Sequence, residues 1–199
     1  MTLPNLLTVS RIGLTGLFML ALFTHSPSGR IWALVIFGVA SLTDLFDGLL
    51  ARRWHQETAL GALLDPIADK ILVLAAFLSF VELELIPAWM VVLIVSREFL
   101  ITGLRLVAVR QGTVLPAERG GKHKTISQMV AIVLTLVYLI VRDLATARAT
   151  PETLSAVTLW GSRGVYGLML LTVGLTLTSG CAFAWRHRTL LLGAAPKSS

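Results

Sequence analysis

An all-α, polytopic membrane protein with six transmembrane helices is the fold this sequence predicts, and three observations carry it. Mean hydropathy is +0.80, and with 55% hydrophobic and only 14% charged residues in 199 the chain is too apolar for a soluble domain of its size. Its apolar residues fall into six runs, each close to the roughly 20 residues that cross a hydrocarbon layer as a helix. Proline and glycine punctuate the gaps between runs, as turns require. Backbone N–H and C=O groups in hydrocarbon must be satisfied within their own segment, so the runs are expected to be helices rather than isolated strands. The connections are too short to hold a second domain, which leaves one membrane domain over residues 1–199.

The first run, residues 6–23, carries Arg11 and lacks the charged start and small-residue cleavage site of a secretion signal, so it is expected to stay in the mature protein. Pro27 and Gly29 separate it from residues 31–50. The third run, 60–81, follows a short polar connection, and Pro87 marks the turn into the fourth, 86–109. Gly112, Pro116, Gly120 and Gly121 break the chain before residues 125–141. Pro151 precedes the last run, 157–184. Tyr138, Trp160, Tyr166 and Trp185 fall near run ends, where amphipathic rings suit a membrane interface. Residues 196–199 read as a frayed tail.

Basic residues set the orientation. Arg52, Arg53, Arg105, Arg110, Arg119, Lys122, Lys124, Arg186, Arg188 and Lys197 lie on one side, against Arg30, Arg142, Arg148 and Arg163 on the other. The richer side should face the cytoplasm, and with six helices both termini lie there. The net charge of +6 sits between apolar runs rather than in a polar stretch with interleaved aromatics. This excludes nucleic acid and points to anionic headgroups. The single cysteine, Cys181, rules out an intrachain disulfide framework and is expected to be a packing residue.

The chemistry is concentrated in Asp44-Leu-Phe-Asp47-Gly48-Leu-Leu-Ala51-Arg52, followed after eight residues by Gly61-Ala-Leu-Leu-Asp65-Pro-Ile-Ala-Asp69. On helices, positions 44, 47 and 51 share one face and 61, 65 and 69 another. A short connection makes the two helices antiparallel neighbours, so four carboxylates converge near one membrane edge. Partly desolvated like charges at that spacing cost several kcal/mol unless a cation sits among them. An all-oxygen set suits Mg²⁺ or Mn²⁺ better than Zn²⁺, with His55 in the connection rather than on the shared faces. The competing reading makes Asp65 a helix cap ahead of Pro66 and leaves Asp44 and Asp47 merely solvated. Gly48, Ala51 and Gly61 clear bulk beside the acids for a flat ligand, or alternatively for a neighbouring helix. Arg52 offers fork geometry to a phosphate. Carboxylates, two metal ions and an arginine around a diphosphate make a phosphoryl-transfer site.

This stretch resembles the signature of the CDP-alcohol phosphatidyltransferase family, matching it at every required position from Asp44 to Asp69. The resemblance implies transfer of a phosphatidyl group from CDP-diacylglycerol to an alcohol with release of CMP. It implies that Asp44, Asp47, Asp65 and Asp69 hold the metal ions, Asp69 also serving as general base, and that Gly48, Ala51, Arg52 and Gly61 receive the CDP-lipid. Pro4-Asn5-Leu-Leu-Thr8-Val-Ser-Arg11 is similar to a family element lining the nucleotide site, which adds Asn5, Thr8 and Arg11. It further implies a homodimer in a bacterial inner membrane, and Gly161, Gly164 and Gly167 in the last run offer close helix packing.

The signature does not choose the alcohol. Arg97 and Glu98 interrupt the fourth run, and charges there require partners, drawn from Lys70, Arg105, each other or the acids. Gly120-Gly121-Lys122-His123-Lys124-Thr125 opens the fifth run, where a helix start and two lysines favour an anion. Arg105, Lys122 and Lys124 therefore suit an acceptor that carries phosphate. Both stretches resemble those of bacterial family members that use glycerol 3-phosphate; inositol phosphate or another phosphorylated polyol is the alternative. His25, His123 and His187 are expected in loops or at the interface, without a ligand role.

Overall fold

A computed structural model describes the backbone of residues 3–24, 26–54, 59–110 and 120–186, and the side chains of 10–24, 26–43, 70–108 and 125–186. Among the described residues there are six helices and no strand: α1 (Leu3–Leu22), α2 (Pro27–Trp54), α3 (Ala59–Glu82), α4 (Ala88–Arg110), α5 (Gly120–Arg148) and α6 (Pro151–Arg186). His25, His55, His187 and the tail lie outside the described residues.

Local chemistry explains most of the boundaries. Pro27 and Pro151, expected as breaks, instead open α2 and α6, because proline at the first helical position lacks only an N–H that would have no partner anyway. The preceding hydroxyls cap the new ends. Gly29 N–H donates to Ser26 Oγ at 3.1 Å, and Thr153 N–H donates to Thr150 Oγ1 at 3.4 Å. α3 ends in a paired reversal, Leu85 N–H to Phe80 O and Glu84 N–H to Val81 O, both 2.9 Å. That motif needs one left-handed residue, and Glu84 supplies it with φ 56°. α5 runs beyond residue 141 to Arg148, and α6 starts at Pro151 rather than 157. The 36 residues of α6 reach roughly 54 Å at 1.5 Å each, so its first turns extend beyond a hydrocarbon layer of about 30 Å.

Consecutive helices run in opposite directions. Lys70 of α3 meets Thr102 of α4 across their hairpin, and α2 contacts α5 at Arg30 with Asp143 and again at Ser41 with Met129, a decreasing register that makes them antiparallel. Arg97 meets Ser179 and Arg105 meets Phe183, so α4 and α6 are parallel. Odd-numbered helices therefore start, and even-numbered helices finish, at the same end of the bundle.

The core holds Phe18 and Phe37, whose ring centroids are 5.9 Å apart at 52°, together with Phe77, Phe80, Met90 and Leu136. Three buried threonines satisfy their own hydroxyls by donating one turn back, Thr15 to Arg11 O, Thr135 to Ala131 O and Thr172 to Leu168 O, so these enter the core without an orphaned donor. The outer surface is apolar too: Leu20, Val92, Phe99 and Leu171 are exposed, the inverse of a soluble bundle. Thr125–Arg148 and Pro151–Arg186 meet the length and hydropathy of a membrane crossing, while the described parts of α1 and α2, Ser10–Leu22 and Pro27–Thr43, form shorter apolar helices.

One expectation needs correcting. Cys181 is exposed on α6 rather than packed, because the buried side of that helix passes through Thr176, Gly180 and Phe183. The Tyr138 ring fills the space over Gly161, where an added Cβ would come within 2.1 Å of it.

Candidate active site

The acids occupy mirrored positions about the connection between α2 and α3. Asp47 stands seven residues before the end of α2 at Trp54, and Asp65 six residues after the start of α3 at Ala59; Asp44 and Asp69 each stand ten residues from those same ends. With a rise of 1.5 Å per residue, one acid of each helix lies about 10 Å, and the other about 15 Å, from the connection. Asp65 is therefore well inside α3, which removes the reading of it as a cap ahead of Pro66. Gly48, Ala51 and Arg52 follow on α2, and Gly61 lies on α3. The side chains of this stretch lie outside the described ones, as do those of Asn5 and Thr8 on the opening turns of α1.

α5 brings its lysines to the same level. From the contact of Ser41 Oγ with Met129 Sδ, 3.9 Å, Asp44 and Asp47 lie three and six residues further along α2, a rise of about 5 and 9 Å. In the antiparallel α5, Lys124 and Lys122 lie five and seven residues back from Met129, about 8 and 11 Å. They stand within the first turn and a half of α5, which begins at Gly120, where the free N–H groups and the helix dipole favour an anion. His123 shares that turn. Arg105 lies five residues before the end of α4. It is exposed, and its guanidinium carbon lies 5.7 Å from the centre of the Phe183 ring, a cation–π arrangement that holds the side chain against α6. Arg11 of α1 is buried, 8% exposed.

A polar junction beside Asp69 ties α3, α4 and α6. Lys70 Nζ donates to Thr102 Oγ1 at 2.7 Å and lies 3.8 Å from Glu98 Oε2. Glu98 Oε1 lies 3.5 Å from Arg97 Nη1, and Arg97 Nη2 donates to Ser179 Oγ at 2.9 Å. The arginine stem reaches α6 across Gly180, where a Cβ would lie 2.7 Å from Arg97 Cγ. Glu98 is thus the partner that the sequence leaves open for Lys70 and Arg97. Thr102 and Ser179 carry no sequence signal for this role; only the helix pairing reveals them. The same holds for Arg30. The sequence counts it among the loop charges, but it is buried and ion-paired with Asp143 at 2.5 Å.

Six helices with acids on α2 and α3, basic residues on α4 and α5, and an apolar exterior are the architecture of a membrane-type group-transfer enzyme. The chain belongs to the CDP-alcohol phosphatidyltransferase family, whose model matches residues 1–178. Over 148 residues it is 40% identical to the CDP-diacylglycerol–glycerol-3-phosphate 3-phosphatidyltransferase of Bacillus subtilis (strain 168), covering 68% of this chain and 77% of that protein. It is 47% identical over 133 residues to a protein named "probable phosphatidylglycerophosphate synthase" in Mycobacterium tuberculosis (strain CDC 1551 / Oshkosh), covering 65% of this chain and 63% of the relative. A CDP-diacylglycerol–glycerol-3-phosphate 3-phosphatidyltransferase of Cereibacter sphaeroides is 39% identical over 137 residues, covering 67% of this chain and 62% of the relative. The matched part thus spans under two thirds of the last two relatives. The family depends on divalent metal and is integral to membranes.

Proposed function

We propose that this chain transfers the phosphatidyl group of CDP-diacylglycerol to sn-glycerol 3-phosphate, giving phosphatidylglycerophosphate and CMP. The observation that carries the reading is the eight-residue signature from Asp44 to Asp69, five of its residues on α2 and three on α3, with two acids on each helix. The names of the relatives from Bacillus subtilis and Cereibacter sphaeroides supply the acceptor, and the lysines opening α5 fit its phosphate.

In this reading Asn5, Thr8, Arg11, Gly48, Ala51, Arg52 and Gly61 receive the CDP-lipid, with its acyl chains left in the bilayer. Asp44, Asp47, Asp65 and Asp69 fit hard divalent cations, since an all-carboxylate donor set matches Mg²⁺ or Mn²⁺, and four acids provide for two ions. When bound, the ions neutralise the diphosphate and stabilise the charge that builds on the departing CMP. Lys122, Lys124 and Arg105 hold the acceptor phosphate and so aim the 1-hydroxyl at the phosphatidyl phosphorus. Asp69 accepts the hydroxyl proton as the new P–O bond forms and the bond to CMP breaks. The bonds balance: the phosphoanhydride of CDP-diacylglycerol is broken, a phosphodiester to the acceptor forms, and CMP leaves with the bridging oxygen.

The same reading supplies a setting, supported by the apolar exterior and the distribution of basic residues. All six helices cross a bacterial inner membrane with both termini and the reacting end on the cytoplasmic side, where the basic residues gather. Residues 1–199 act as one domain. A second copy of the chain packs on the face of α6 at Gly164 and Gly167, where nothing within 4 Å would meet an added Cβ.

The test is CMP release by purified protein with a panel of acceptors, with Asp69→Asn as control. Metal-dependent release with glycerol 3-phosphate supports the reading. Release with inositol phosphate alone transfers the same chemistry to a different acceptor, and ion flux into vesicles without CMP release refutes the enzyme altogether.

A further inference from the structure

The end of the bundle away from the acids holds a second polar cluster that takes no part in the reaction as described. Arg30, near the start of α2, places Nη1 2.5 Å from Asp143 Oδ1 of α5 and also donates from Nη1 to Leu139 O at 3.3 Å. The side chains are only 5% and 17% exposed. Arg142 approaches the same carboxylate, its Nε 4.0 Å from Oδ1, and stacks its guanidinium 5.8 Å from the centre of the Tyr138 ring. Tyr138 in turn rests on Gly161 of α6 and points its hydroxyl at Thr158 O, 3.5 Å away.

An ion pair this dry is poor evidence of a stability gain, because removing both charges from water offsets most of their attraction. What it does supply is register. An apolar face accepts a slide along its neighbour with little change in contact, whereas a buried arginine and aspartate meet in one alignment only. The polar contacts between α2 and α5 among the described residues fall at two depths, Arg30 with Asp143 and Leu139 O at one and the weak Ser41–Met129 contact at the other. Between them the helices are otherwise packed through apolar side chains.

We propose that Arg30 and Asp143 are positioning residues for the reaction at the opposite end. By fixing α5 against α2, they set the height of Lys122 and Lys124 relative to Asp44 and Asp47. α2 is held to α1 independently, through the Phe18–Phe37 contact, so release of the pair moves α5 and leaves the CDP-lipid side in place. The proposal rests on the acceptor-phosphate reading of Lys122 and Lys124 for its kinetic consequence, but not for the register itself.

The experiment uses the full chain in a Cys181→Ala background, with Asp143→Asn, Arg30→Gln and Arg30→Lys. Kinetics with both substrates should give a KM for glycerol 3-phosphate raised about ten- to a hundredfold in Asp143→Asn and Arg30→Gln, the scale of an ångström misplacement. The KM for CDP-diacylglycerol should stay unchanged, and Arg30→Lys should recover most of the loss. Separately, a Ser41→Cys/Met129→Cys pair reports the register without any activity. Its disulfide should form several-fold more slowly when Asp143 is Asn, and at the parental rate when Arg30 is Lys. Unchanged cross-linking in both Asp143→Asn and Arg30→Gln overturns the proposal, as does a fall in kcat with both KM values intact, which marks a loss of folded protein only. If the parent chain transfers nothing to glycerol 3-phosphate, the function reading fails and the cross-linking rate still decides the register.

Discussion

Gly161→Ala tests whether α5 and α6 meet as described. A methyl at this position would lie 2.1 Å from Tyr138 Cε2, 2.4 Å from Cδ2 and 3.1 Å from Cζ. Ordinary carbon contacts lie at about 3.5–4.0 Å, so the ring must move by more than an ångström. It cannot swing away freely, because Arg142 stacks on it and its hydroxyl faces Thr158 O. Overpacking of this kind costs about 1–3 kcal/mol, against a gain of up to about 1 kcal/mol from replacing a mid-helix glycine. The net expectation is a loss of about 1–2 kcal/mol, or roughly 2–8 °C in apparent melting temperature for a chain of this length. Gly174→Ala, on the same helix with nothing within 4 Å of the new Cβ, should be neutral or raise it. The measurement is thermal unfolding of the purified protein in detergent at one fixed scan rate, followed by circular dichroism, since membrane protein unfolding is often irreversible. Adding Tyr138→Leu should remove much of the penalty of Gly161→Ala, a coupling that distant sites do not show. Equal behaviour of Gly161→Ala and Gly174→Ala would refute this packing.

Other expectations follow from the same geometry. Asp69→Asn should lower CMP release about 10²- to 10⁴-fold, the usual worth of a general base, and EDTA should abolish release by the parent until Mg²⁺ or Mn²⁺ is restored. Lys122→Ala or Lys124→Ala should raise the KM for glycerol 3-phosphate about ten- to a hundredfold, matching about 1.5–3 kcal/mol for a charge-assisted hydrogen bond, with the KM for CDP-diacylglycerol unchanged. Glu84→Gly should raise the apparent melting temperature, because glycine removes the roughly 1–2 kcal/mol that a left-handed conformation costs other residues; no change would mean that the turn is not strained.

Helix number and sequence order were legible because apolar run length is a direct physical demand of hydrocarbon. Helix ends were less legible. Pro27 and Pro151 look like breaks in a string of letters, and only the hydroxyl caps at Ser26 and Thr150 make them starts. The acids were legible because their spacing is local, within one helix and across one short connection. Arg30 and Asp143 were not, since they are 113 residues apart in the chain and each alone looks like an ordinary charge near a membrane edge. Cys181 was misread for the same reason: hydropathy places a residue at a depth in the membrane, and it does not tell which side of the helix a neighbour will cover.

The alternation of helix direction explains why so few polar residues suffice. Every second helix returns the chain to one end, so the acids near the finish of α2 and the start of α3, an arginine near the finish of α4 and lysines at the start of α5 come to the same end of the bundle. A site built this way depends on vertical alignment between helices more than on any one local contact, and apolar packing controls alignment weakly. The two polar junctions, Lys70–Glu98–Arg97–Ser179 and Arg30–Asp143, lie where that control is wanted. The first ties the helix of Asp69 to α4 and α6 beside the reacting end. The second ties α2 to α5 at the other end, where a positional constraint can act without adding charge beside the acids and lysines of the proposed site.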